Sequence, residues 1–226
     1  MVTQHLQNRV DPWGQLRTVA SRGTRMGNRG ILHNDANQIV RPWKHKRWVT
    51  CMLEFKQIKR PKPFSRGNYS ELFFLDEATA FAAGHRPCGD CQKARHLDFK
   101  EKWLAANVDA QLRSALSMDD VDIVLHAERC VRGGGKTRFA ATLGELPKGT
   151  MFEFDAAAFL VTAAGYLPWS FDGYGPAKRI DGATAVTVLT PASIVRAFEQ
   201  GFVALVHASA GLDDPAAVAS AQKNPS

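Results

Sequence analysis

No run of about 18 apolar residues occurs in the 226-residue chain, so no segment of it reads as a membrane-spanning helix. The first residues, Met1 to Asp11, are polar and contain no apolar stretch of the kind that opens a secretory leader, so a cytoplasmic protein is expected. Cysteine is scarce: there are four, Cys51, Cys88, Cys91 and Cys130. With no leader to support disulfide pairing, two thiols three positions apart point instead to metal or redox chemistry. No internal repeat is visible. Acidic residues are rare at one end: residues 1–66 hold 3 Asp/Glu against 14 Lys/Arg, a net +11, while the remainder is net −4. The whole excess of positive charge sits in the first third, which suggests a polyanionic partner there, although a merely solubilising face would look the same.

The remaining composition is that of a globular protein, 45% hydrophobic and 23% charged, enough to bury the core of one or two domains. The pattern predicts an α+β chain. Residues 1–21 read as a flexible lead, 22–115 as a basic region, 116–210 as a mixed α/β C-terminal domain and 211–226 as a loose tail. Residues 22–35 form a Gly/Arg-rich loop, where backbone N–H groups and Arg22, Arg25 and Arg29 could cradle a phosphate. Residues 47–55 alternate like a half-buried strand, and Glu71 to Leu75 reads as another. Asp76 is a good N-cap for a helix reaching Ala83, with Gly84 just beyond its end. A second helix is predicted from about Asp90 to Ala106, burying Leu97, Trp103 and Leu104. Strands are expected over 121–126, 152–154, 159–162, 185–189 and 202–207, and a helix over 192–200 capped by Thr190 and Pro191. The Trp169 to Pro176 segment reads as a packed corner.

Cys88-Gly89-Asp90-Cys91 is the strongest local signal. Two thiolates at this spacing can bind one zinc ion, because the intervening turn aims both sulfurs inward; a redox pair or two unrelated thiols are the alternatives. The segment Phe73-Phe74-Leu75-Asp76-Glu77-Ala78-Thr79-Ala80-Phe81-Ala82-Ala83-Gly84-His85-Arg86-Pro87-Cys88-Gly89-Asp90-Cys91 resembles the zinc-binding domain of the Ada family of bacterial alkylation-response proteins. That family binds zinc through four cysteines, and the resemblance places its last two at Cys88 and Cys91. The upstream pair has the form Cys-x-x-x-Cys. Here Cys51 is the one upstream cysteine, and Arg47 stands four residues before it. The resemblance therefore implies a structural zinc unit that binds nucleic acid, without the cysteine that accepts methyl groups. Met26-Gly27-Asn28-Arg29-Gly30-Ile31-Leu32-His33 and Glu71-Leu72-Phe73-Phe74-Leu75-Asp76-Glu77-Ala78 are also similar to segments of a bacterial protein family, a resemblance that implies no activity.

For the fourth zinc ligand the candidates are His33, His45, His85 and Cys130, with His33 preferred beside Cys51, Cys88 and Cys91. Nucleic-acid contacts are expected from Arg25 and Arg29, from Trp43, Lys44, Lys46 and Arg47, and from Lys59, Arg60 and Lys62. Trp43, Trp48 and Phe64 are candidates for base stacking. If the protein is an enzyme, Asp35 with His33 is the first choice of acid–base pair and His126 with Glu128 the second. The run Arg132-Gly133-Gly134-Gly135-Lys136-Thr137 departs from the nucleotide phosphate-loop pattern, since Cys130 stands where its first glycine belongs. It reads as a hairpin or mobile loop that can touch a backbone phosphate. The expected function is a zinc-containing DNA-binding protein, for instance a repair enzyme with glycosylase, lyase or nuclease activity. A non-enzymatic DNA- or RNA-binding module and a thiol or metal sensor are the alternatives.

Overall fold

The structure is a computed structural model that describes residues 5–56, 62–131 and 135–211. It is α+β, with two six-stranded sheets and four helices among the described residues. The first sheet is mixed. Its strands are β1 (Arg9–Val10), β2 (Leu16–Arg17), β3 (Arg25–Asn28), β4 (Val49–Cys51), β5 (Leu72–Phe74) and β6 (Arg86–Pro87), in the order β2-β1-β5-β3-β4-β6. The second is antiparallel throughout. It is built from β7 (Phe139–Thr142), β8 (Met151–Phe154), β9 (Ala157–Thr162), β10 (Gly165–Ser170), β11 (Gly173–Tyr174) and β12 (Ala185–Val188), in the order β11-β10-β9-β8-β12-β7.

Between strand sets runs the short helix α1 (Glu77–Ala82), with all six residues buried. Its alanine content follows from that position, because a helix covered on every side cannot carry bulk on every side. Ala80 and Ala83 pack with Val10, Leu72 and Phe74 of the first sheet. Ala78, Phe81 and Ala82 face the largest apolar cluster. That cluster joins Phe99 and Trp103 of α2 (Lys93–Asn107), Val121 and Leu125 of α3 (Met118–Arg129), Met151 and Leu160 of the second sheet, and Ile194 and Phe198 of α4 (Ala192–Glu199). One core therefore spans residue 116.

Asp76 caps α1 as expected, accepting from Thr79 N at 2.8 Å. It also accepts from the Tyr174 hydroxyl at 2.8 Å and from His207 N at 2.9 Å, which ties the Trp169–Pro176 corner to the helix start. Gly84 follows the helix at φ 84°, and a Cβ there would fall 2.6 Å from the Arg129 side chain. Only glycine satisfies both demands.

Several expectations are corrected. The stretch expected to be a flexible lead contains β1 and β2, with Val10 fully buried. The Gly/Arg-rich segment is not a phosphate-cradling loop: β3 occupies its middle and pairs on both sides, with β4 and β5. Gly27 is needed there because a Cβ would lie 2.3 Å from Val49 O. The strand over 47–55 is confined to β4, and Leu53 beyond it is exposed. Leu97 lies on the outer face of α2 at 54% exposure, and Phe99 takes its place in the core. Residues 202–207 form no strand, and Thr190 does not cap α4, whose N-cap is Pro191.

Residues 121–126 lie in α3 rather than in a strand. A reciprocal capping box starts that helix: Ser117 Oγ accepts from Asp120 N, and the Asp120 carboxylate accepts from Ser117 N at 2.8 Å. Val121 and Leu125, one turn apart, are buried, whereas Ile123 and Val124 are exposed. Ser117→Ala is expected to destabilise the protein by about 1 kcal/mol, the usual worth of an N-cap. A denaturant titration checks this, and no change in midpoint would contradict the cap.

Candidate functional site: a thiol cluster and a cationic cavity

Strands β4 and β6 run parallel, pairing Val49 with Arg86 and Thr50 with Pro87. Their C-terminal ends deliver Cys51 and Cys88 to the same place, and the turn after β6 returns Cys91. The three Sγ atoms lie within 4.8 Å of one another. The fully buried Thr50 fixes the turn: its carbonyl accepts from Cys88 N at 3.0 Å and from Gln92 Nε2 at 2.8 Å. The His96 ring packs over Gly89, where a Cβ would meet Nε2 at 3.3 Å. The Cys51 and Cys91 thiols both donate to Cys88, as do the Cys91 and Asp90 backbone N–H groups, so Cys88 is held well below the ordinary thiol range. Cys51 is pushed up in consequence. Three thiols around one favoured thiolate can hold a metal ion. Zinc–sulfur bonds of about 2.3 Å in a tetrahedron need sulfurs about 3.8 Å apart, which this spacing accommodates.

His33 does not complete the set. Its ring stacks on Phe64 at 4.6 Å and its Nδ1 lies 2.6 Å from Ser70 Oγ, because the bridge between His33 and Ile39 turns it into that corner. His85 is buried against Phe74, Trp48 and Arg29 instead. Among the described residues only Cys51, Cys88 and Cys91 form such a group.

At the opposite end of the same two strands stand Trp48 and His85, each three residues before a cysteine. At about 3.3 Å per residue that is roughly 10 Å away. Trp48 lines a cavity of about 700 Å³, and His85 accepts from Arg29, which lines it too. Arg29 and Arg129 lie against the Trp48 ring, with guanidinium carbons 4.0 and 4.3 Å from its centroid. Arg29 donates to Gly14 O at 3.0 Å and to His85 Nε2 at 3.3 Å. Arg129 donates to Gly84 O at 2.7 Å and to Lys46 O. Lys136 enters from the far side and donates to Ala82 O, at the end of α1. Exposed Arg17, Arg41 and Arg138 line the rim, and half-buried Trp13 and Trp43 supply indole faces. No Asp or Glu is among the described residues lining it.

That imbalance shows in the titration of these groups. Burial, with Arg129 nearby, brings Arg29 down to about 9, and burial brings Arg129 down to about 10. Lys136 falls to about 7 through burial and the repulsion of Arg29 and Arg129. His85 is lowered well below its usual value for the same reasons. Arg29 Nη2 and Arg129 Nε have no hydrogen-bond partner among the described residues. Buried charge is expensive: Cys130 and Asp11 offset Arg29, and Asp122 and Cys130 offset Arg129, only in part, and a bound anion relieves it further.

Of the residues expected from sequence to contact nucleic acid, Arg29 and Trp43 line this cavity. Arg29 is 3% exposed and sits at its wall rather than in a loop. Arg25 borders a separate, smaller cavity with Asp76 and His207. Lys44, Lys46, Arg47 and Lys62 are on the surface, with Arg47 held by Asp119 in a two-bonded pair of 2.8 and 2.9 Å. Lys59 and Arg60 lie outside the described residues, as does the Arg132–Gly134 part of the glycine run. Trp48 and Phe64 are withdrawn as stacking surfaces: the first is covered by two guanidiniums, the second is buried on His33.

Neither expected acid–base pair is assembled. The Asp35 side chain is 78% exposed and 3.8 Å from Arg66, while His33 is buried. His126 and Glu128 are two residues apart on α3, so they point in different directions. Glu128 accepts from Ser193 N and Oγ, and His126 packs edge-on against Trp43. Arg17, Arg129, Lys136 and Arg138 were absent from the expected set. For these four, the Lys136 end of the glycine run was the one sequence signal.

In comparisons with family models, curated proteins and solved structures, the chain matches none.

Proposed function

We propose that this is a nucleic-acid-binding protein whose cavity seats a phosphate and an unstacked base, and whose thiol cluster holds a structural zinc ion. The observation that carries this reading is the cavity itself: six cations and the indoles of Trp13 and Trp43 face about 700 Å³ with no carboxylate among the described lining residues. Cations recruit phosphates, indole faces accept a flat ring, and the volume suits a nucleotide. Exposed Lys44, whose backbone N–H bonds Arg29 O, carries positive charge beyond it, as a polymeric anion requires. Zinc is the metal that suits a thiolate-rich tetrahedral site. Bound at the far end of β4 and β6, it would staple the strands that present Trp48 and His85.

The test is fluorescence anisotropy with single-stranded and duplex oligonucleotides over a range of salt. The wild type should bind with a log–log salt slope of about −0.7 per phosphate contacted on a single strand. Arg41→Ala with Arg138→Ala should weaken binding and flatten the slope. Lys44→Ala, Lys46→Ala and Arg47→Ala together should do so less. The reverse ranking would move the interface from the cavity to the surface stretch, and no binding by the zinc-loaded wild type would end the reading.

A further inference from the structure

We propose that Lys136 is an amine nucleophile that captures the aldehyde of a phosphate-bearing sugar as an imine. The inference rests on the anion-binding reading of the cavity and deepens it. Lys136 lines the cavity, so a ligand there reaches its side chain. Its ammonium hydrogen-bonds the Ala82 carbonyl, and Arg29 and Arg129 act on it as like charges. Cys130 and, more weakly, Asp11 act on it as opposite charges, but no carboxylate is among the described residues that line the cavity. A lysine used only to bind phosphate gains from staying charged; crowding by guanidiniums works against that and favours the neutral amine. The surrounding arginines then have a separate task, which is to hold the phosphate and so place the sugar carbon.

The chemistry balances without a further reactant. The neutral amine adds to the aldehyde carbon, giving a carbinolamine. The former carbonyl oxygen then leaves as water, taking with it the two hydrogens that were on nitrogen, and a C=N bond replaces C=O. Nothing is oxidised or reduced. Two sources present this group beside a phosphate: an abasic residue in a nucleic acid, and a free sugar phosphate.

The experiment is borohydride trapping on the zinc-loaded protein, where hydride reduces the imine to a stable amine that peptide mass spectrometry can map. One arm uses an oligonucleotide with an aldehydic abasic residue, the other 2-deoxyribose 5-phosphate. An oligonucleotide carrying the tetrahydrofuran analogue, which has no aldehyde, measures binding alone. The expected result is a borohydride-dependent adduct on Lys136 with the abasic oligonucleotide. It should be lost in Lys136→Arg even at an oligonucleotide concentration at which that variant is saturated with the tetrahydrofuran analogue. An adduct on Lys136 with the free sugar phosphate alone upholds the nucleophile and overturns the nucleic-acid reading. Binding of the tetrahydrofuran oligonucleotide with no adduct in either arm overturns the nucleophile and leaves the binding reading standing. An adduct that maps to another lysine, or that persists in Lys136→Arg, also overturns it. Circular dichroism of Lys136→Arg and of Lys136→Met confirms that loss of trapping is not loss of fold.

Discussion

Cys88→Ser should lose bound metal and a large part of the protein's stability, and a strong chelator should do the same to the wild type. The first sheet explains why the effect is large. Its strands are two to four residues long, and β6 is held by only two paired positions on β4. Short edge pairings of this kind contribute little alone. A metal bound by Cys51, Cys88 and Cys91 would clamp the end of that pair and the turn into α2. Structural zinc contributes about 10–16 kcal/mol in small peptides that fold only around it. Here the largest apolar cluster, which spans residue 116, contains none of the three cysteines, so losing about a third of that, some 4 kcal/mol, is the expected scale. For a chain of this size that lowers the melting temperature by about 8–16 °C. Metal analysis of the wild type should give about one zinc per chain. A wild type that is metal-free, fully folded and indifferent to chelator would remove the staple from the account.

What could be read from the sequence follows the range of the forces involved. The start and end of α1 were legible because capping is local: Asp76 reaches Thr79 N, and Gly84 takes the conformation other residues avoid. The convergence of Cys88 and Cys91 was legible from their spacing, and Cys51 joins them because β4 lies beside β6. Helix α3 was misread because an apolar run from Val121 looks like a strand when its exposed members, Ile123 and Val124, are counted as buried. The Ser117–Asp120 capping box was the stronger signal. The glycines of β3 suggested a loose loop, whereas Gly27 marks backbone packed too closely for a Cβ. The cavity was least legible of all. Its cations come from positions 17, 29, 41, 129, 136 and 138, and nothing in their local sequence announces that they meet. The basic first third, residues 1–66, drew notice by its charge, yet it supplies just three of those six, Arg17, Arg29 and Arg41.

Arg29→Met should make the free protein more stable and the protein a far worse ligand binder. Methionine has a similar length and fills the space beside the Trp48 ring without bringing a charge. Arg29 is 3% exposed, with Arg129 as a neighbour and Nη2 unpartnered among the described residues, so its ionised form is held in place against desolvation and like-charge repulsion. Its compensation, beyond the partial offset from Cys130 and Asp11, is two hydrogen bonds, to Gly14 O and His85 Nε2, and the face of Trp48. Replacing buried ionic groups by apolar ones of similar volume is commonly neutral or stabilising by about 1–4 kcal/mol. A gain of about 1–2 kcal/mol, or about 2–8 °C in melting temperature, is expected here. Affinity should move the other way. Removing one partner of a buried charge contact costs about 2–5 kcal/mol in binding, a loss of about 30-fold or more. Thermal melts without and with oligonucleotide read both effects on one sample: the free-protein curve shifts up and the ligand-induced shift disappears. A variant that melts lower than the wild type yet binds as tightly would make Arg29 a structural brace for Trp48 and Gly14, and would take the cavity wall out of the binding site.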